Sequence, residues 1–465
     1  MAINKPIRDS WRAQTLAVRG GTRRSEFGET GEAIFATSGY VYECAEQAED
    51  AFRDRVDRFI YSRFSNPTVD MFQDRMAMME GADMGKATAT GMAAVFASMA
   101  SMVEAGDRVV GSRALFGSCL YILTEILPKY GVETTIVDGT DQNQWEDALK
   151  RPTKCVFVET PSNPGLDIID IQTVSDLAHK AGAKVIVDNV FATPLLQHPL
   201  ELGADIVVYS ATKHIDGQGR ALGGIVLGDN DYCENTLKPF LRHTGPSLSP
   251  FNAWIMLKGL ETLDLRMQRH CRNARQIADY LEGRGDLAKV RYPGLKSHPG
   301  HELAAKQMSD FGNVVTFSLV GGKESAFRFM NAMKMIDISN NLGDSKSLLT
   351  HPATTTHQRL SAEDRESLGL DDGMVRLLGR EYNAMIASSC YTAQEGGISC
   401  FSCHNMHQEQ DDGRPVDAWA NDQLKPAAVS DSACTQCHQA ATYQATSHTH
   451  HLAESSGSRC YNCHM

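Results

Sequence analysis

The stretch "ADIVVYSATKHIDGQG", residues 204–219, joins an apolar run to a cluster of hydroxyls, one lysine and two glycines. The apolar part is short and rich in valine, which is typical of a strand buried on both faces. Lys213 lies three residues after Ser210 and one after Thr212. A single lysine is usually a solvated surface residue. The residues that the fold brings beside Lys213 therefore decide whether it is functional.

Similar apolar runs recur between residues 80 and 230 and alternate with helix-length segments. The runs "RVVGS", "TTIVDG", "CVFVETP", "KVIVDN" and "GGIVLGD" predict buried strands. Segments such as "GMAAVFASMASMVEAG" and "TVSDLAHKAG" have helical spacing and end at glycine. This alternation predicts an α/β fold with a mainly parallel sheet and helices on both faces. Ligands of such sheets bind at the carboxyl ends of the strands.

Composition divides the chain into four segments. Residues 1–65 are polar and turn-rich, which predicts an N-terminal arm, and residues 66–250 carry the strands of a large domain. Residues 251–376 predict a smaller α/β domain that begins with one long amphipathic helix, over 251–285. Residues 377–465 form an irregular, cysteine-rich tail.

Charge and hydropathy exclude several classes of partner. The chain has 465 residues, with 45 basic and 57 acidic side chains and a net charge of -12. This balance argues against a broad nucleic-acid or anionic-membrane surface and favours small-molecule partners. No apolar stretch reaches the roughly 18 residues needed to span a bilayer, and the N-terminus lacks the apolar core of a signal peptide. We therefore expect a cytoplasmic protein.

Polar residues follow three neighbouring strands of the predicted sheet. Asn163 follows the first, Asp188 the second, and the Ser210–Lys213 cluster the third. Upstream, "TGMAA" places Gly91 at the start of a helix, where free amides favour a phosphate. An Asp that ends a strand is usually a turn or capping residue. A phosphate seat, a carboxylate, an amide and a lysine together, however, suit pyridoxal 5'-phosphate (PLP), which binds lysine covalently and pairs its ring nitrogen with a carboxylate.

At these residues the chain resembles the cystathionine gamma-synthase family, the PLP-dependent enzymes of cysteine and methionine metabolism. The resemblance covers about residues 10–376 and is carried by five motifs in the family's order: "YSRFSNPT", "ETPSNP", "VDNVFATP", "SATKHIDGQG" and "HPATTTH". It implies the type I fold of PLP-dependent transferases. It also implies a homo-oligomer, as a dimer of dimers.

The resemblance assigns roles to individual residues. Lys213 would hold the cofactor covalently and move protons during catalysis, Asp188 would pair with the ring nitrogen, and Asn163 would lie near the ring's phenolic oxygen. The remaining residues implied in cofactor binding are Gly91, Met92, Ser210 and Thr212 at the phosphate, and Tyr61 and Arg63, which would reach the phosphate of the neighbouring subunit.

The details look most like the O-succinylhomoserine sulfhydrylase branch of that family. Phe116 in "SRALFGSC" replaces the tyrosine that stacks on the ring in many relatives, so a catalytic role at this position is limited to stacking. Arg376 would bind the substrate α-carboxylate, and Asn341 would contribute to the same binding. The implied reaction is γ-replacement by sulfide, which gives homocysteine for methionine biosynthesis. Cystathionine gamma-synthase, O-acetylhomoserine sulfhydrylase and methionine gamma-lyase are the alternatives, and no metal is expected.

The tail contains three CxxCH strings, which predict covalent attachment of haem c, with a zinc site as the alternative. They are Cys400, Cys403 and His404; Cys434, Cys437 and His438; and Cys460, Cys463 and His464. The tail resembles part of a multihaem cytochrome c, but haem c is attached outside the cytoplasm, so loading is not expected here. The enzyme resemblance stops near Leu377, before the family's last strand and closing helix, which suggests a join of two unrelated coding segments.

Two function classes remain open from sequence. The first is a PLP-dependent transferase with an inert tail. The second is an electron-transfer cytochrome fragment attached to a nonfunctional enzyme body. The first is favoured because all of its cofactor-binding and carboxylate-binding residues are present.

Overall fold

The structure, a computed structural model, describes residues 11–378, apart from the side chains at 362, 364 and 367. The predicted haem-attachment residues and the alternative zinc site therefore lie outside the described residues. They remain predictions from sequence.

A seven-stranded sheet forms the larger part of the described chain, in the order β1-β7-β6-β5-β4-β2-β3. The run from β3 to β6 is parallel throughout, whereas β7 is antiparallel to both of its neighbours. The strands are β1 (Met84–Thr88), β2 (Arg108–Ser112), β3 (Glu133–Val137), β4 (Cys155–Glu159), β5 (Lys184–Asp188), β6 (Ile206–Ser210) and β7 (Gly224–Gly228). The predicted α/β fold with a mainly parallel sheet is confirmed.

Apolar residues of the central strands are buried on both faces of this sheet. In β5, Ile186 packs with the cluster that contains Ala94, whereas Val185 packs with the cluster that contains Trp145 and Val174. Successive side chains of a strand point to opposite faces. Two covered faces therefore explain why the strand sequences are continuous apolar runs and do not alternate with polar residues.

Helices cover the sheets, and in the described chain none is long and apolar enough to cross a bilayer. Short 3-10 and π-helical turns complete several of the connections. The α-helices are α1 (Ala13–Arg19), α2 (Ala45–Phe52), α3 (Pro67–Glu80), α4 (Gly91–Ala100), α5 (Gly117–Tyr121), α6 (Gln142–Ala148), α7 (Ile171–Lys180), α8 (Thr193–Leu196), α9 (Lys238–Thr244), α10 (Pro250–Leu260), α11 (Leu263–Leu281), α12 (His301–Gln307), α13 (Gly322–Ala332) and α14 (Ala362–Ser367).

A second sheet has five strands in the order β10-β11-β12-β9-β8. Its strands are β8 (Leu287–Arg291), β9 (Val314–Leu319), β10 (Asp337–Ile338), β11 (Leu348–Thr350) and β12 (Met374–Leu378). The central strand β12 is antiparallel to both neighbours, and Arg376 lies opposite Thr316 on one side and Thr350 on the other. All of these strands fall after residue 250, in the segment predicted to form the smaller domain.

The prediction of one long helix over residues 251–285 is wrong, because the chain breaks into α10 and α11 at residues 261–262. A tertiary contact holds Arg266 at this break, because its Nη1 donates to the carbonyl of His214 at 2.7 Å. Arg266 donates from Nη2 to the carbonyl oxygen of Gly259 at 2.8 Å, and this oxygen would otherwise accept the helical bond from residue 263. A Cβ on Gly259 would also lie 2.1 Å from the carbonyl oxygen of Ile215. The close packing of α10 on that loop thus depends on the glycine.

A buried ion cluster fastens the N-terminal arm to the helices. Arg75 of α3 is fully buried and contacts Glu32 through Nη2 at 2.5 Å, and Lys258 of α10 contacts the same carboxylate at 2.5 Å. The Nε of Arg75 also donates to the carbonyl of Gly20 at 2.8 Å. Burial raises the cost of each charge, so the cluster is stable only with every partner present.

Replacing Arg75 with methionine should therefore destabilise the protein strongly. The substitution leaves the buried Glu32 without one of its two cations, and breaking a buried pair in this way costs about 3–5 kcal/mol. Urea unfolding followed by circular dichroism measures the loss. Arg151→Met is the matched control, because Arg151 pairs with Glu133 at the surface, and its midpoint should stay at the wild-type value. An Arg75→Met midpoint equal to that of the control would contradict the assignment.

Candidate active site

A cavity of about 260 Å³ opens at the carboxyl ends of β4, β5 and β6. Its walls come from the large sheet, from the start of α4 and from β12 of the small sheet. Nine of the residues predicted from sequence line it: Gly91, Met92, Phe116, Asn163, Asp188, Ser210, Thr212, Lys213 and Arg376. The structure thus brings together residues that are up to 285 positions apart, from 91 to 376.

Lys213 follows β6 and points its amine into the cavity. Its Nζ donates to Oδ1 of Asn341 at 2.7 Å. Asn341, which is predicted to bind the substrate, therefore lies next to the lysine. Gly343 has φ +79°, and a Cβ there would lie 2.5 Å from the carbonyl carbon of Lys213, so only glycine lets the Asn341 loop approach this closely. Burial, together with the positive charge of Arg376, lowers the pKa of Lys213 to about 8.

Two carboxyl groups and a thiol lie together at the base of the cavity. Asp188 and Glu159 are paired residues in the register of β5 and β4, so their side chains emerge side by side. Single ligand atoms of Asp188, Glu159 and Cys119 lie within 4.8 Å of one another. Burial raises the pKa of both carboxyls, and the charge of Asp188 raises that of Glu159 further. Burial also raises the pKa of the Cys119 thiol, which makes the thiolate form needed for metal binding unfavourable.

The amino end of α4 forms a second wall. Thr90 caps the helix through Oγ1, which accepts the amide of Ala93 at 3.1 Å. A Cβ on Gly91 would lie 2.4 Å from Cβ of Ser210, so a larger residue would push the helix away from the end of β6. Free helix amides and the hydroxyls of Ser210 and Thr212 therefore face the same part of the cavity, an arrangement that suits an anion.

Arg376 enters the cavity from the small sheet and is only 4% exposed. Nη1 donates to Oδ1 of Asn163 at 3.0 Å, and Nη2 donates to the carbonyls of Asn340 and Asn341 at 3.0 and 3.1 Å. Burial lowers the pKa of Arg376 to about 10, although Glu159 opposes this shift. The guanidinium is thus fixed in direction and remains a cation at neutral pH.

Phe116 borders the cavity at the start of α5. Its backbone amide donates to Oε2 of Glu159 at 2.7 Å. On the other side, a Cβ on Gly117 would lie 2.9 Å from the carbonyl oxygen of Thr356, which also lines the cavity. The Phe116 segment is therefore held between the end of β4 and the loop that precedes α14.

Tyr61 and Arg63 do not line this cavity. Tyr61 is 41% exposed, and Arg63 donates to the carbonyl of Arg242 and lies over the ring of Phe64 at 4.8 Å. Within one chain the structure does not bring these two residues to the other predicted cofactor ligands. Their predicted contact with a neighbouring subunit stays a prediction.

The sequence analysis missed Glu159, Cys119 and Thr356. Glu159 is the first residue of the motif "ETPSNPG", from which only Asn163 was selected. A usable signal was present, because the predicted strands "CVFVE" and "KVIVD" both end on an acidic residue. Two parallel strands with the same ending place both carboxyls at one edge of the sheet. Thr356 lies inside the motif "HPATTTH" but was not selected, and Cys119 carries no comparable signal.

Comparison with protein families identifies a match over residues 14–382 to the family described as Cys/Met metabolism PLP-dependent enzyme. The O-succinylhomoserine sulfhydrylase of Mycobacterium tuberculosis (strain H37Rv) is 54% identical over 377 residues, which cover 80% of this chain and 93% of the relative. The O-succinylhomoserine sulfhydrylase of Pseudomonas aeruginosa (strain PAO1) is 48% identical over 363 residues, which cover 78% and 90%. The residues matched by the family, 14–382, include all five motifs on which the resemblance rests.

Among solved structures, an O-acetylhomoserine (thiol)-lyase from Campylobacter jejuni subsp. jejuni matches with a TM-score of 0.77 and 32% identity. The match covers 81% of this chain and 98% of that chain. That structure carries N'-pyridoxyl-lysine-5'-monophosphate, a lysine joined to the cofactor. The predicted fold class and the predicted PLP cofactor are confirmed.

The lowered pKa of Lys213 predicts unusual reactivity of its amine in protein stripped of cofactor. A lysine with a pKa of about 8 is half neutral at that pH, so an amine-reactive reagent should label Lys213 faster than exposed Lys150, as quantified by peptide mass spectrometry. In Arg376→Met the repelling charge is gone, the pKa of Lys213 rises, and its labelling at pH 8 should slow. Labelling of Lys150 serves as the internal reference. Labelling of Lys213 that is slower than that of Lys150 in the wild type, or unchanged in the variant, would overturn the assignment.

Proposed function

This chain belongs to the Cys/Met metabolism family of PLP-dependent enzymes, and we propose that it acts as an O-succinylhomoserine sulfhydrylase. In this reaction sulfide replaces the succinyl group of O-succinylhomoserine, which gives homocysteine and succinate. The observation that carries the proposal is one cavity in which Lys213, Asp188 and Arg376 meet. The 54% identity to an O-succinylhomoserine sulfhydrylase supports the choice of substrate.

The residues around the cavity fit pyridoxal phosphate. The amides at Gly91 and the hydroxyls of Ser210 and Thr212 would hold the phosphate. The space at Gly91 is too small for a side chain, so only glycine fits there. Asp188 would face the ring nitrogen, and the Phe116 ring would cover one face of the cofactor. When bound, the cofactor supplies an electron sink for the substrate's α-carbon.

Lys213 is the group that moves protons. Its amine, with a pKa of about 8, is partly neutral near neutral pH and so can act as a base. Lys213 Nζ takes a proton from Cα of the substrate and, once it has released that proton, takes another from Cβ as succinate leaves Cγ. After sulfide has added to Cγ, the same amine returns protons to carbon. The hydrogen bond to Asn341 orients the amine between these steps.

Arg376 binds the substrate's α-carboxylate. Its guanidinium offers a planar fork that matches a carboxylate with two parallel hydrogen bonds. The hydrogen bonds to Asn163 and to the carbonyl of Asn340 fix the plane of this fork, and the substrate carboxylate would take the place of the Asn341 carbonyl at Nη2. Pre-organisation of this kind reduces the loss of conformational entropy on substrate binding.

Activity with matched substrate pairs tests the proposal. Purified holoenzyme should form homocysteine and succinate from O-succinylhomoserine and sulfide, with kcat/KM at least about tenfold above that for O-acetylhomoserine with sulfide or for O-succinylhomoserine with cysteine. Lys213→Ala is the control and should lower kcat about a thousandfold, because the base is gone. Cystathionine as the main product, preference for the acetyl ester, or methanethiol release from methionine would each assign another member of the family.

We also propose that a second copy of the chain completes the site. Tyr61 and Arg63 lie outside the cavity of their own chain, and the arm around them exposes large apolar residues. These include Phe27, at 86%, and Val41, at 87% exposed. Apolar exposure on this scale is typical of surfaces that bind another protein. A dimer, or a dimer of dimers, would cover the arm and bring Arg63 to the partner's phosphate.

A cytoplasmic location forms part of the same proposal. All five cysteines in the described part of the chain are free thiols, and four of them are buried. Reduced thiols are typical of proteins in a reducing compartment.

Shared sites predict that two inactive variants rescue each other. In a mixed dimer of Arg63→Ala and Lys213→Ala, one of the two sites has both an intact lysine and an intact arginine. Coexpression of the pair should therefore restore about a quarter of wild-type activity, since half of randomly assembled dimers are mixed. Each variant expressed alone is the control and should be nearly inactive. No recovery in dimers shown by mass spectrometry to be mixed would contradict the shared site.

A further inference from the structure

Glu159 is a buried carboxyl group at the cavity to which the proposed reaction assigns no role. It ends β4, is 5% exposed and lines the cavity beside Asp188. Its Oε2 accepts the backbone amide of Phe116 at 2.7 Å. Glu159 therefore lies within 4.8 Å of the carboxylate proposed to face the ring nitrogen and bonds the segment that carries the aromatic ring.

The groups that face Glu159 come from every element packed against it. Asp188 comes from β5, the Cys119 thiol from α5, Arg376 from β12 and Asn163 from the loop after β4. Arg376 is the one cation among them, and its hydrogen bonds go to Asn163, Asn340 and Asn341. No direct ion pair between Arg376 and Glu159 compensates the burial of the Glu159 charge among the described contacts. Two carboxyls this close in a buried site do not both ionise readily.

Several observations indicate which carboxyl keeps the proton. Backbone amides bond both carboxyls, Val190 to Oδ1 of Asp188 at 3.1 Å and Phe116 to Oε2 of Glu159 at 2.7 Å, so these bonds favour the ionised form of each and do not distinguish the two. Asp188 is the last residue of β5 and would face the cofactor's cationic ring nitrogen. For Glu159, burial and then the charge of Asp188 raise the pKa well above the ordinary value, and they outweigh the backbone bonds of Phe116 and Asn163 and the charge of Arg376, which lower it.

We propose that Glu159 is a positioning residue that remains protonated in the working enzyme. As a neutral acid it leaves the negative charge of the pair on Asp188, where the ring nitrogen needs it. Its Oε2 at the same time accepts the Phe116 amide. This bond positions the Phe116 ring at the wall of the cavity. The proposal rests on the proposed function only in the identity of the cofactor that Asp188 faces.

Glu159→Gln and Glu159→Ala separate the two parts of this role. Glutamine keeps the size and the carbonyl acceptor and cannot ionise, so it imitates a protonated glutamate. Alanine leaves the part-buried Phe116 amide without its acceptor and opens a void beside the ring. We expect the glutamine variant to retain the wild-type absorbance maximum of the bound cofactor. The alanine variant should shift that maximum, bind the cofactor more weakly and have kcat/KM about tenfold or more below that of the glutamine variant.

Infrared spectroscopy of the holoenzyme reads the proton directly and does not depend on turnover. A protonated carboxyl gives a C=O band that glutamine abolishes, so wild type minus Glu159→Gln should contain that band at neutral pH. Glu80→Gln is the matched control, because burial raises the pKa of Glu80 to about 8 and its acid band should be separate. The Glu159 band must persist in the Glu80 variant.

Two outcomes would overturn the proposal. One is the absence of an acid band that depends on Glu159, which would show an ionised glutamate. The other is a glutamine variant whose cofactor absorbance and affinity are as disturbed as those of the alanine variant. Neither readout uses the sulfhydrylase reaction, so a different substrate would refute the proposed function and leave this test intact.

Discussion

The register of the parallel strands β4, β5 and β6 is the constraint on which the site depends. Glu159 lies opposite Asp188 in that register, and Asp188 lies opposite Val208, two residues before Ser210 at the end of β6. Neighbouring strands are about 4.8 Å apart. Three consecutive strand ends therefore deliver two carboxyls, a hydroxyl and, three residues further on, the lysine to one cavity. A shift of one residue in any of these strands would turn its functional side chain to the opposite face.

Burial affects the charge of the groups in the cavity as much as their ionic neighbours do. Burial lowers the pKa of Lys213, and the Arg376 cation from the second sheet lowers it further, so the amine is partly neutral. The carboxyl pair lies at the base, where burial disfavours two negative charges. The Arg376 cation, the carboxyl pair and a partly neutral amine thus coexist in a space of about 260 Å³. Low solvent access strengthens each of these interactions.

Sequence alone predicts the parts of this architecture that depend on local pattern. The valine-rich runs predict the strands because their residues pack on both faces, and the polar residues after them predict the position of Lys213, Asp188 and Asn163. Features that depend on tertiary contacts are not predicted from the sequence. The break between α10 and α11 coincides with bonds of Arg266 to the carbonyls of Gly259 and His214, and periodicity does not predict them. Glu159 becomes visible only when the β4–β5 register is known, and the place of Arg63 depends on a second chain.

The central claim is that the amine of Lys213 carries the cofactor inside this cavity. Borohydride reduction of the holoenzyme, followed by proteolysis and peptide mass spectrometry, measures where the cofactor is attached. The account predicts a single stable pyridoxyl adduct, on the peptide that contains Lys213. An adduct on a different lysine, or cofactor that is released entirely after reduction, would contradict it.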